Sequence, residues 1–362
     1  MKSVTIALRL TTIISAFALA LTATYAQPLT PGDLLVYRVG TGSGGLSSTA
    51  TAVFLDEYSP LGTLVESIAL PTTGSAELTA VGNDTTEGII SAAQNGVVFN
   101  FTGYRADAGT ADPASGTGNR VIGIIGLNGV PNTSTALTDA TGTIRSAGST
   151  DGSSLFYVGT SAGLFYYGSP SGASTSTAEI DTRSSRQALI GGNALFASGT
   201  LAGNINKVIN YGTLPTSATV GTPVIATTLT DTVNGFALFD LNGSVGPDTI
   251  YALSTSANKV YKYTYNGTSW SASGSISAGG AMDISGVAIG STVDLFLTSS
   301  TTLYSETDSS GYGGSITGTL TTLATAGANE DFRGITYIPE PSTVGLGVLA
   351  AATLTALRRR RS

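Results

Sequence analysis

The feature that most constrains the fold is a repeat of short apolar segments with a period of roughly 50 residues. One run begins with glycine and recurs at Gly235–Leu238, Gly286–Ile289 and Gly334–Tyr337. A second run is rich in Leu, Phe and Tyr and recurs at Leu155–Val158, Leu195–Ser198, Ile250–Leu253 and Leu295–Thr298. A third follows each of these, at Leu164–Tyr166, Val208–Asn210, Val260–Lys262 and Leu303–Ser305. With a fourth, more polar strand per unit, the pattern predicts the blades of a β-propeller.

The repeat also predicts how the units pack. A lone four-stranded blade cannot cover both of its faces, so blades have to stack around an axis. We expect the glycine-containing strands to lie innermost, and the Leu-Phe/Tyr strands to fill the space between blades. The prediction is an all-β fold with one β-propeller over residues 27–338. Six blades are expected, or seven if residues 77–140 hold another, and a pair of β-sandwiches is the alternative.

The two ends of this body predict how the ring closes. The last strand, Phe332–Ile338, resembles an innermost strand with no blade after it. The first three strand candidates, Leu34–Val39, Val53–Tyr58 and Thr63–Leu70, lack an innermost partner. Pairing the C-terminal strand with these N-terminal strands would close the ring and cover two sheet edges.

Composition narrows the chemistry available to this fold. The chain contains no histidine and no cysteine, which excludes a Ser-His-Asp triad, a His-ligated zinc and a thiolate nucleophile. Only 11% of the residues are charged, and the formal net charge is −7. Because an acidic surface repels phosphate backbones, we expect no nucleic-acid partner.

The N-terminus has the pattern of a secretory signal peptide. Lys2 and Arg9 flank the start of an apolar run, Leu8–Leu21, which is followed by small residues up to Ala26. This pattern predicts a signal helix over residues 1–26, with cleavage by signal peptidase between Ala26 and Gln27. A buried N-terminal helix or strand is the alternative.

The C-terminus combines three elements in a fixed order. Pro339, Glu340 and Pro341 precede an uncharged apolar segment at 342–357, and the four arginines Arg358, Arg359, Arg360 and Arg361 follow it. The segment is just long enough for a transmembrane helix. The arginines predict a stop-transfer signal with the tail inside and the body outside. An ordinary tail anchor is the alternative.

This tail, residues 339–362, closely resembles the PEP-CTERM sorting signal of exported Gram-negative bacterial proteins. The resemblance implies that an exosortase, a membrane-embedded cysteine transpeptidase, recognises the Pro-Glu-Pro motif and removes the tail. The protein would pass transiently through the inner membrane and reach the cell surface or an extracellular polymer matrix. The body is also similar to propeller-type domains that often precede this signal.

Candidate ligand sites are few. Asp240, Asn242 and Asp248 place oxygen ligands around a glycine turn, which faintly indicates calcium; a plain β-turn is the favoured interpretation. No other cofactor is predicted. Six aromatic residues could stack on sugars but are more simply explained by packing: Tyr166, Tyr167, Tyr261, Tyr263, Tyr265 and Trp270.

Acidic residues give no catalytic pair. Asp56-Glu57 and Glu330-Asp331 are adjacent in sequence, and adjacent strand residues face opposite sides, so we interpret them as rim charges. Asp181 is expected to form a surface ion pair with Arg183 and Arg186.

The sequence thus predicts a non-enzymatic binding or structural protein of the cell surface or matrix. Its partner would be an extracellular polysaccharide or another surface protein. The alternative is an extracellular carbohydrate-active enzyme, a lyase or hydrolase, with carboxylates at the central channel. Convergence of several Asp and Glu side chains at one mouth of the ring would favour the enzyme.

We expect the substitution Glu340→Ala, or deletion of Arg358–Arg361, to leave the protein in the inner membrane, because each removes one element of the sorting signal. Membrane fractionation with intact-mass analysis measures both the location and the cleavage points. Normal release of the Glu340→Ala protein would exclude recognition by an exosortase.

Overall fold

The computed structural model describes residues 26–201, 205–224, 232–243 and 246–340. These residues form an all-β structure, and none of them lies in a helix. Accordingly, this part of the chain contains no helix long and apolar enough to cross a membrane. The predicted signal helix up to residue 25, Pro341, the apolar segment 342–357 and Arg358–Arg361 all lie outside the described residues.

The described residues form short strands separated by turns. In chain order, the first thirteen are β1 (Leu34–Val39), β2 (Ala50–Tyr58), β3 (Leu64–Ala69), β4 (Thr79–Val81), β5 (Ser91–Ala92), β6 (Val98–Tyr104), β7 (Arg120–Gly126), β8 (Pro131–Leu137), β9 (Ile144–Gly148), β10 (Phe156–Thr160), β11 (Leu164–Gly168), β12 (Ala173–Ser174) and β13 (Ala178–Asp181). The others are β14 (Ser185–Gly191), β15 (Ala194–Leu201), β16 (Ile205–Asn210), β17 (Thr222–Pro223), β18 (Val233–Phe239), β19 (Thr249–Ser254), β20 (Lys259–Tyr265), β21 (Trp270–Ser277), β22 (Asp283–Ile289), β23 (Thr292–Thr298), β24 (Thr302–Asp308), β25 (Thr321–Thr325) and β26 (Asp331–Tyr337).

The strands form four four-stranded sheets and one larger sheet. The four-stranded sheets have the orders β9-β10-β11-β13, β14-β15-β16-β17, β18-β19-β20-β21 and β22-β23-β24-β25. The larger sheet contains the runs β26-β1-β2-β3 and β5-β6-β7-β8, and β4 joins β2 to β6. Repeated four-stranded antiparallel sheets give the chain a propeller-like architecture, as its sequence periodicity predicts.

The C-terminal strand completes an N-terminal sheet. β26 pairs antiparallel with β1, with Leu34 opposite Tyr337 and Val39 opposite Asp331. β1 pairs in turn with β2, and β2 with β3. This is the pairing that the sequence predicts for the last strand. It covers the edges of β1 and β26 that face each other.

The innermost strands form a closed cycle. β5, β9, β14, β18, β22 and β26 contact one another in that order, and β26 contacts β5. Glycine permits the close approach of β26 to the segment before β5: a Cβ atom at Gly334 would lie 2.2 Å from the carbonyl oxygen of Gly88. The preference for small residues in these strands thus follows from their convergence near the axis.

Side chains satisfy the exposed backbone edges of the innermost strands. Ser146 Oγ accepts a hydrogen bond from Ala188 N at 2.9 Å. Gln187 Oε1 accepts one from Phe236 N at 2.6 Å, and Asp283 Oδ2 accepts one from Ile335 N at 3.0 Å. At three junctions between sheets, a polar residue of one innermost strand therefore meets an N–H group that lacks a strand partner.

Arg333 connects the closing strand to the segment before β5. Its guanidinium forms ion pairs with Glu87 at 2.9 Å and with Asp331 at 3.1 Å. It also donates to the carbonyl oxygens of Val81 and Gly82. Arg333 is 2% exposed, so these partners compensate for a charge that water cannot reach.

We expect Arg333→Ala to lower the free energy of unfolding by about 3–5 kcal/mol, because it leaves two buried carboxyl groups without their positively charged partner. Urea denaturation measures the change. Lys259→Ala, which removes a positive charge from an exposed strand position, should change stability by less than about 0.5 kcal/mol. Equal effects of the two substitutions would contradict a closing role for Arg333.

Candidate functional site

The channel enclosed by the innermost strands has two chemically different ends. A largely apolar cavity of about 480 Å³ lies at the C-terminal ends of these strands. Its lining includes Phe236, Leu238 and Tyr337. Residues at or just before the strand starts form the other end. We call this end the polar mouth; it consists of Asp84, Thr85, Thr86, Glu87, Arg145, Arg186, Asn234, Asp283, Asp331 and Arg333.

The polar mouth contains two adjoining cavities. The inner one, the throat, has a volume of about 10 Å³ and is lined in part by Glu87, Asp283 and Arg333. The outer one, the vestibule, has a volume of about 220 Å³ and is lined in part by Arg186. The two cavities adjoin because they share the lining residues Thr85, Thr86, Asn234 and Met282. The throat is the size of one water molecule, which needs roughly 10–15 Å³.

Glu87 is a buried carboxyl group at the wall of the throat. Its Oε1 accepts hydrogen bonds from Val81 N at 2.5 Å and Arg333 Nη1 at 2.9 Å. Its Oε2 accepts one from the Tyr104 hydroxyl at 2.8 Å. Burial raises the pKa of Glu87 to about 7, although the positive charge of Arg333 opposes the shift. The group therefore changes its charge near neutral pH.

Asp283 is the second buried carboxyl group of the throat. It is 1% exposed, and burial raises its pKa to about 8, against the opposing effect of nearby backbone N–H groups led by that of Ile335. Its Oδ1 has no hydrogen-bond partner among the described residues. At neutral pH Asp283 is therefore mainly protonated and can donate a hydrogen bond.

Unpartnered polar atoms concentrate at this mouth. Within the described residues, buried atoms without a hydrogen-bond partner include Arg145 Nε, Arg186 Nη1, Asp283 Oδ1 and Asp331 Oδ1. Buried polar atoms in folded proteins are normally satisfied. Of these residues, Asp283 lines the throat and Arg186 lines the vestibule. Unsatisfied donors and acceptors at the wall of a cavity are typical of a site that binds a polar molecule.

The acidic pairs considered in the sequence analysis do not lie on an exposed rim. Asp56 and Glu57 are each 1% exposed. Asp56 pairs with Arg38 at 2.5 Å, and Glu57 accepts a hydrogen bond from Thr30 N. Their interpretation as rim charges is therefore wrong, because the structure uses both as buried hydrogen-bond acceptors.

The other acidic predictions are partly corrected. Glu330 pairs with Arg38, whereas Asp331 is buried beside Arg333 at the polar mouth. Asp181 does form an ion pair with Arg183. Arg186 takes no part in that pair, because it lies within β14 and lines the vestibule.

The predicted calcium ligands lie on one turn. Asp248 is fully buried, and its carboxylate accepts hydrogen bonds from Leu241 N and Asn242 N. Asp240 Oδ1 accepts one from Gly243 N at 2.8 Å. Both carboxylates thus bind backbone N–H groups of the turn itself, the usual role of Asp in β-turns. The described residues contain no cluster of three acidic ligands.

The six aromatic candidates divide into two groups. Tyr166, Tyr167 and Tyr263 are buried, and Tyr261 packs beside Tyr263 with ring centroids 6.5 Å apart. Tyr265 and Trp270 lie with ring centroids 5.2 Å apart at the wall of a separate cleft between two sheets. Packing therefore explains most of these rings, as the sequence analysis favoured.

The described parts of the predicted processing sites lie at the surface of the fold. Gln27 is exposed and Ala26 partly so. Pro339 lines the apolar end of the channel, and Glu340 lies beside it. The beginning of the Pro-Glu-Pro motif is therefore at the end of the channel opposite the polar mouth.

Sequence reasoning missed the residues of the polar mouth, although a weak signal existed. Polar side chains recur at the start of several innermost strands: Arg145, Arg186, Asn234 and Arg333. Because equivalent strand positions of a propeller converge on the axis, polar groups recurring there predict a polar channel mouth.

No family model and no curated protein sequence matches this chain. Solved structures similar to it include two proteins named "putative 6-phosphogluconolactonase", from Bacteroides uniformis (10% identity, TM-score 0.44, covering 82% of this chain and 83% of that one) and Bacteroides fragilis (12%, 0.45, 82% and 82%). Another is the periplasmic gluconolactonase of Pseudomonas aeruginosa (11%, 0.42, 81% and 83%).

The expectation of a non-enzymatic protein is not supported by this comparison, in which the similar structures carry the names of enzymes. Identities of 10–12% with TM-scores below 0.5 do not transfer a reaction or a substrate to this chain.

We expect Asp283→Asn to flatten the pH dependence of stability between about pH 4 and pH 8. The pKa of Asp283 is raised from 3.8 to about 8 on folding, so the folded state holds a proton that the unfolded state releases. Stability from this group is present below pH 3.8 and is lost as pH rises towards 8, at up to about 1.4 kcal/mol per pH unit.

Urea unfolding at several pH values measures this slope. Asp151→Asn is the matched control, because the pKa of Asp151 is lowered by hydrogen bonds within its turn, although burial opposes the shift. Its carboxyl group is therefore ionised in both states above about pH 5, and the slope should stay as in the wild type. An unchanged slope in Asp283→Asn would contradict the raised pKa.

Proposed function

We propose that this protein is an exported six-bladed β-propeller that acts as a carbohydrate-active enzyme through general acid–base catalysis at the polar mouth. The observation that carries the proposal is the throat, where the carboxyl groups of Glu87 and Asp283 border a cavity the size of one water molecule. It adjoins a vestibule that a small ring or chain end could enter.

The proposed roles follow from the two pKa values. Glu87, with a pKa of about 7, is ionised in a large fraction of molecules at neutral pH and would accept a proton from the bound water. Asp283, with a pKa of about 8, is mostly protonated and would donate a proton to the leaving group. Two acids whose environments hold them in different protonation states are the usual requirement for this chemistry.

Six blades are supported by the strand pairing. Four sheets have four strands each, and the larger sheet contributes β26-β1-β2-β3 and β5-β6-β7-β8. The cycle of six innermost strands fits one blade per innermost strand. In this arrangement β4 and β12 are additional short strands between blades.

Export and sorting form part of the same proposal. The signal peptide over residues 1–26 and the tail over 339–362 would deliver the domain to the cell surface or a polysaccharide matrix. A saccharide substrate suits that location, and the absence of histidine and cysteine from the sequence leaves carboxyl groups as the available acids and bases near neutral pH.

We expect the activity on a panel of bacterial polysaccharides to have a bell-shaped pH dependence with limbs near pH 7 and pH 8, because it requires ionised Glu87 and protonated Asp283. The release of reducing ends measures hydrolysis, and the absorbance of an unsaturated product measures elimination. Asp283→Asn should lower kcat by roughly 100-fold or more.

Glu306→Gln is the matched control. Burial also raises the pKa of Glu306 to about 7, but this residue lies in β24 and away from the polar mouth. Its substitution should leave both limbs unchanged. Wild-type activity in Asp283→Asn would exclude the proposed acid, and no activity of the wild type on any substrate would refute the enzyme proposal.

A further inference from the structure

Arg186 differs from every other arginine of the described residues. Three of them, Arg38, Arg183 and Arg333, form ion pairs. The guanidinium groups of another three donate to carbonyl or hydroxyl oxygens: Arg105, Arg120 and Arg145. The Arg186 side chain donates no hydrogen bond to any described group, and its buried Nη1 has no partner.

An unmatched guanidinium is unusual because it carries five donors and is always charged. Burial lowers the pKa of Arg186, and the carboxylate of Asp84 opposes that shift. Asp84 nevertheless forms no ion pair with Arg186, and its Oδ1 instead accepts hydrogen bonds from the backbone and hydroxyl of Thr86. The donors of Arg186 therefore remain available within the vestibule.

A second arginine, Arg145, lies near enough to Arg186 for their charges to repel. Arg145 is 8% exposed, and its Nη1 donates to Ser184 Oγ and Ser185 O, whereas its Nε has no partner. Burial, together with repulsion from Arg186, lowers the pKa of Arg145 to about 10. The charge of Asp84 acts on both arginines, and that of Glu87 acts on Arg145 as well. Glu87 forms its ion pair with Arg333, however, so among the described residues Arg186 has no ion-pair partner.

A bound carboxylate would satisfy the unpaired donors of Arg186. It would accept hydrogen bonds from the guanidinium, a geometry that arginine favours, and would give Arg186 the ion pair that it lacks. The nearby carboxylate of Asp84 would repel a phosphate dianion more strongly than a monoanion. The site therefore favours a monoanion.

The rest of the vestibule is suited to hydroxyl groups. Its wall includes the polar side chains of Thr85, Thr86, Asn234, Thr255 and Asn258. Its volume of about 220 Å³ is below the roughly 300–1,000 Å³ of most small-molecule sites. A single sugar ring or the terminal unit of a chain fits these dimensions.

We infer that Arg186, supported by Arg145, binds the carboxylate of an acidic sugar unit, a uronate or aldonate, in the vestibule. The inference rests on the proposed function in so far as the same mouth is the substrate site. It adds the substrate class: an acidic saccharide whose carboxylate contacts Arg186 while the bond to be cleaved faces the throat.

Isothermal titration of the full-length protein tests this with sodium galacturonate, glucuronate and gluconate as probes. Galactose and glucose are the neutral counterparts, and inorganic phosphate is the competing anion. We expect at least one acidic sugar to bind about tenfold or more tightly than its neutral counterpart, and more tightly than phosphate. Equal affinities for acidic and neutral sugars, or tighter binding of phosphate, would overturn the inference.

Substitutions identify the residue responsible. Arg186→Gln should lose about tenfold or more of the affinity for the acidic sugar with no change for the neutral one, and Arg186→Lys should retain part of it. Arg183→Gln removes an arginine that already pairs with Asp181 and should bind as the wild type does. Unchanged affinity in Arg186→Gln, with the fold verified by thermal unfolding, would also overturn the inference.

The result is separable from that of the enzyme proposal. Binding of an acidic sugar without turnover of any polymer supports the vestibule site and refutes catalysis. Turnover of a neutral polysaccharide without binding of an acidic sugar supports catalysis and refutes the substrate class.

Discussion

The structure depends on one buried guanidinium, that of Arg333. This residue lies on the strand that closes the cycle, and it binds Glu87, Asp331 and two backbone carbonyl groups of the segment before β5. Since the described cycle closes through non-covalent contacts alone, the closing strand must gain enough from its neighbours to remain in place. Hydrogen bonding to β1 holds one edge of β26, and Arg333 fixes its start against the other neighbour.

The same need for closure creates the chemistry of the polar mouth. Innermost strands present N–H groups without strand partners, and three such groups bind Ser146, Gln187 and Asp283. Any hydrogen-bond acceptor can fill this structural role, as the neutral side chains of Ser146 and Gln187 demonstrate. Asp283 is the one of the three that can also hold or release a proton. A position required for folding has thereby acquired a titratable group with a pKa near neutrality.

How far the sequence predicts the structure depends on the range of the interactions. The pairing of β26 with β1 follows from the repeat, because the repeat leaves one innermost strand at the C-terminus without a blade of its own. Such an extra strand can be recognised from the periodicity of the sequence. The partners of Arg333 do not follow, because Glu87 belongs to an irregular segment with no period. Sequence proximity predicts an ion pair between Arg186 and Asp181, whereas Asp181 pairs with Arg183. The irregular pairing of β14 with β15, with a register shift between Ser185 and Ala188, lies at the start of β14, so spacing alone does not predict which way Arg186 points.

The proposed export route determines which end of the channel faces the membrane, and therefore how substrate reaches the site. Pro339 leaves the fold at the apolar end, so an anchor that follows it would tether the domain by that end. The polar mouth, formed by the opposite ends of the same strands, would then face away from the membrane both before and after removal of the tail. The vestibule would be accessible to a long saccharide in either state, which means that processing of the tail would govern where the protein acts without governing whether its site is open.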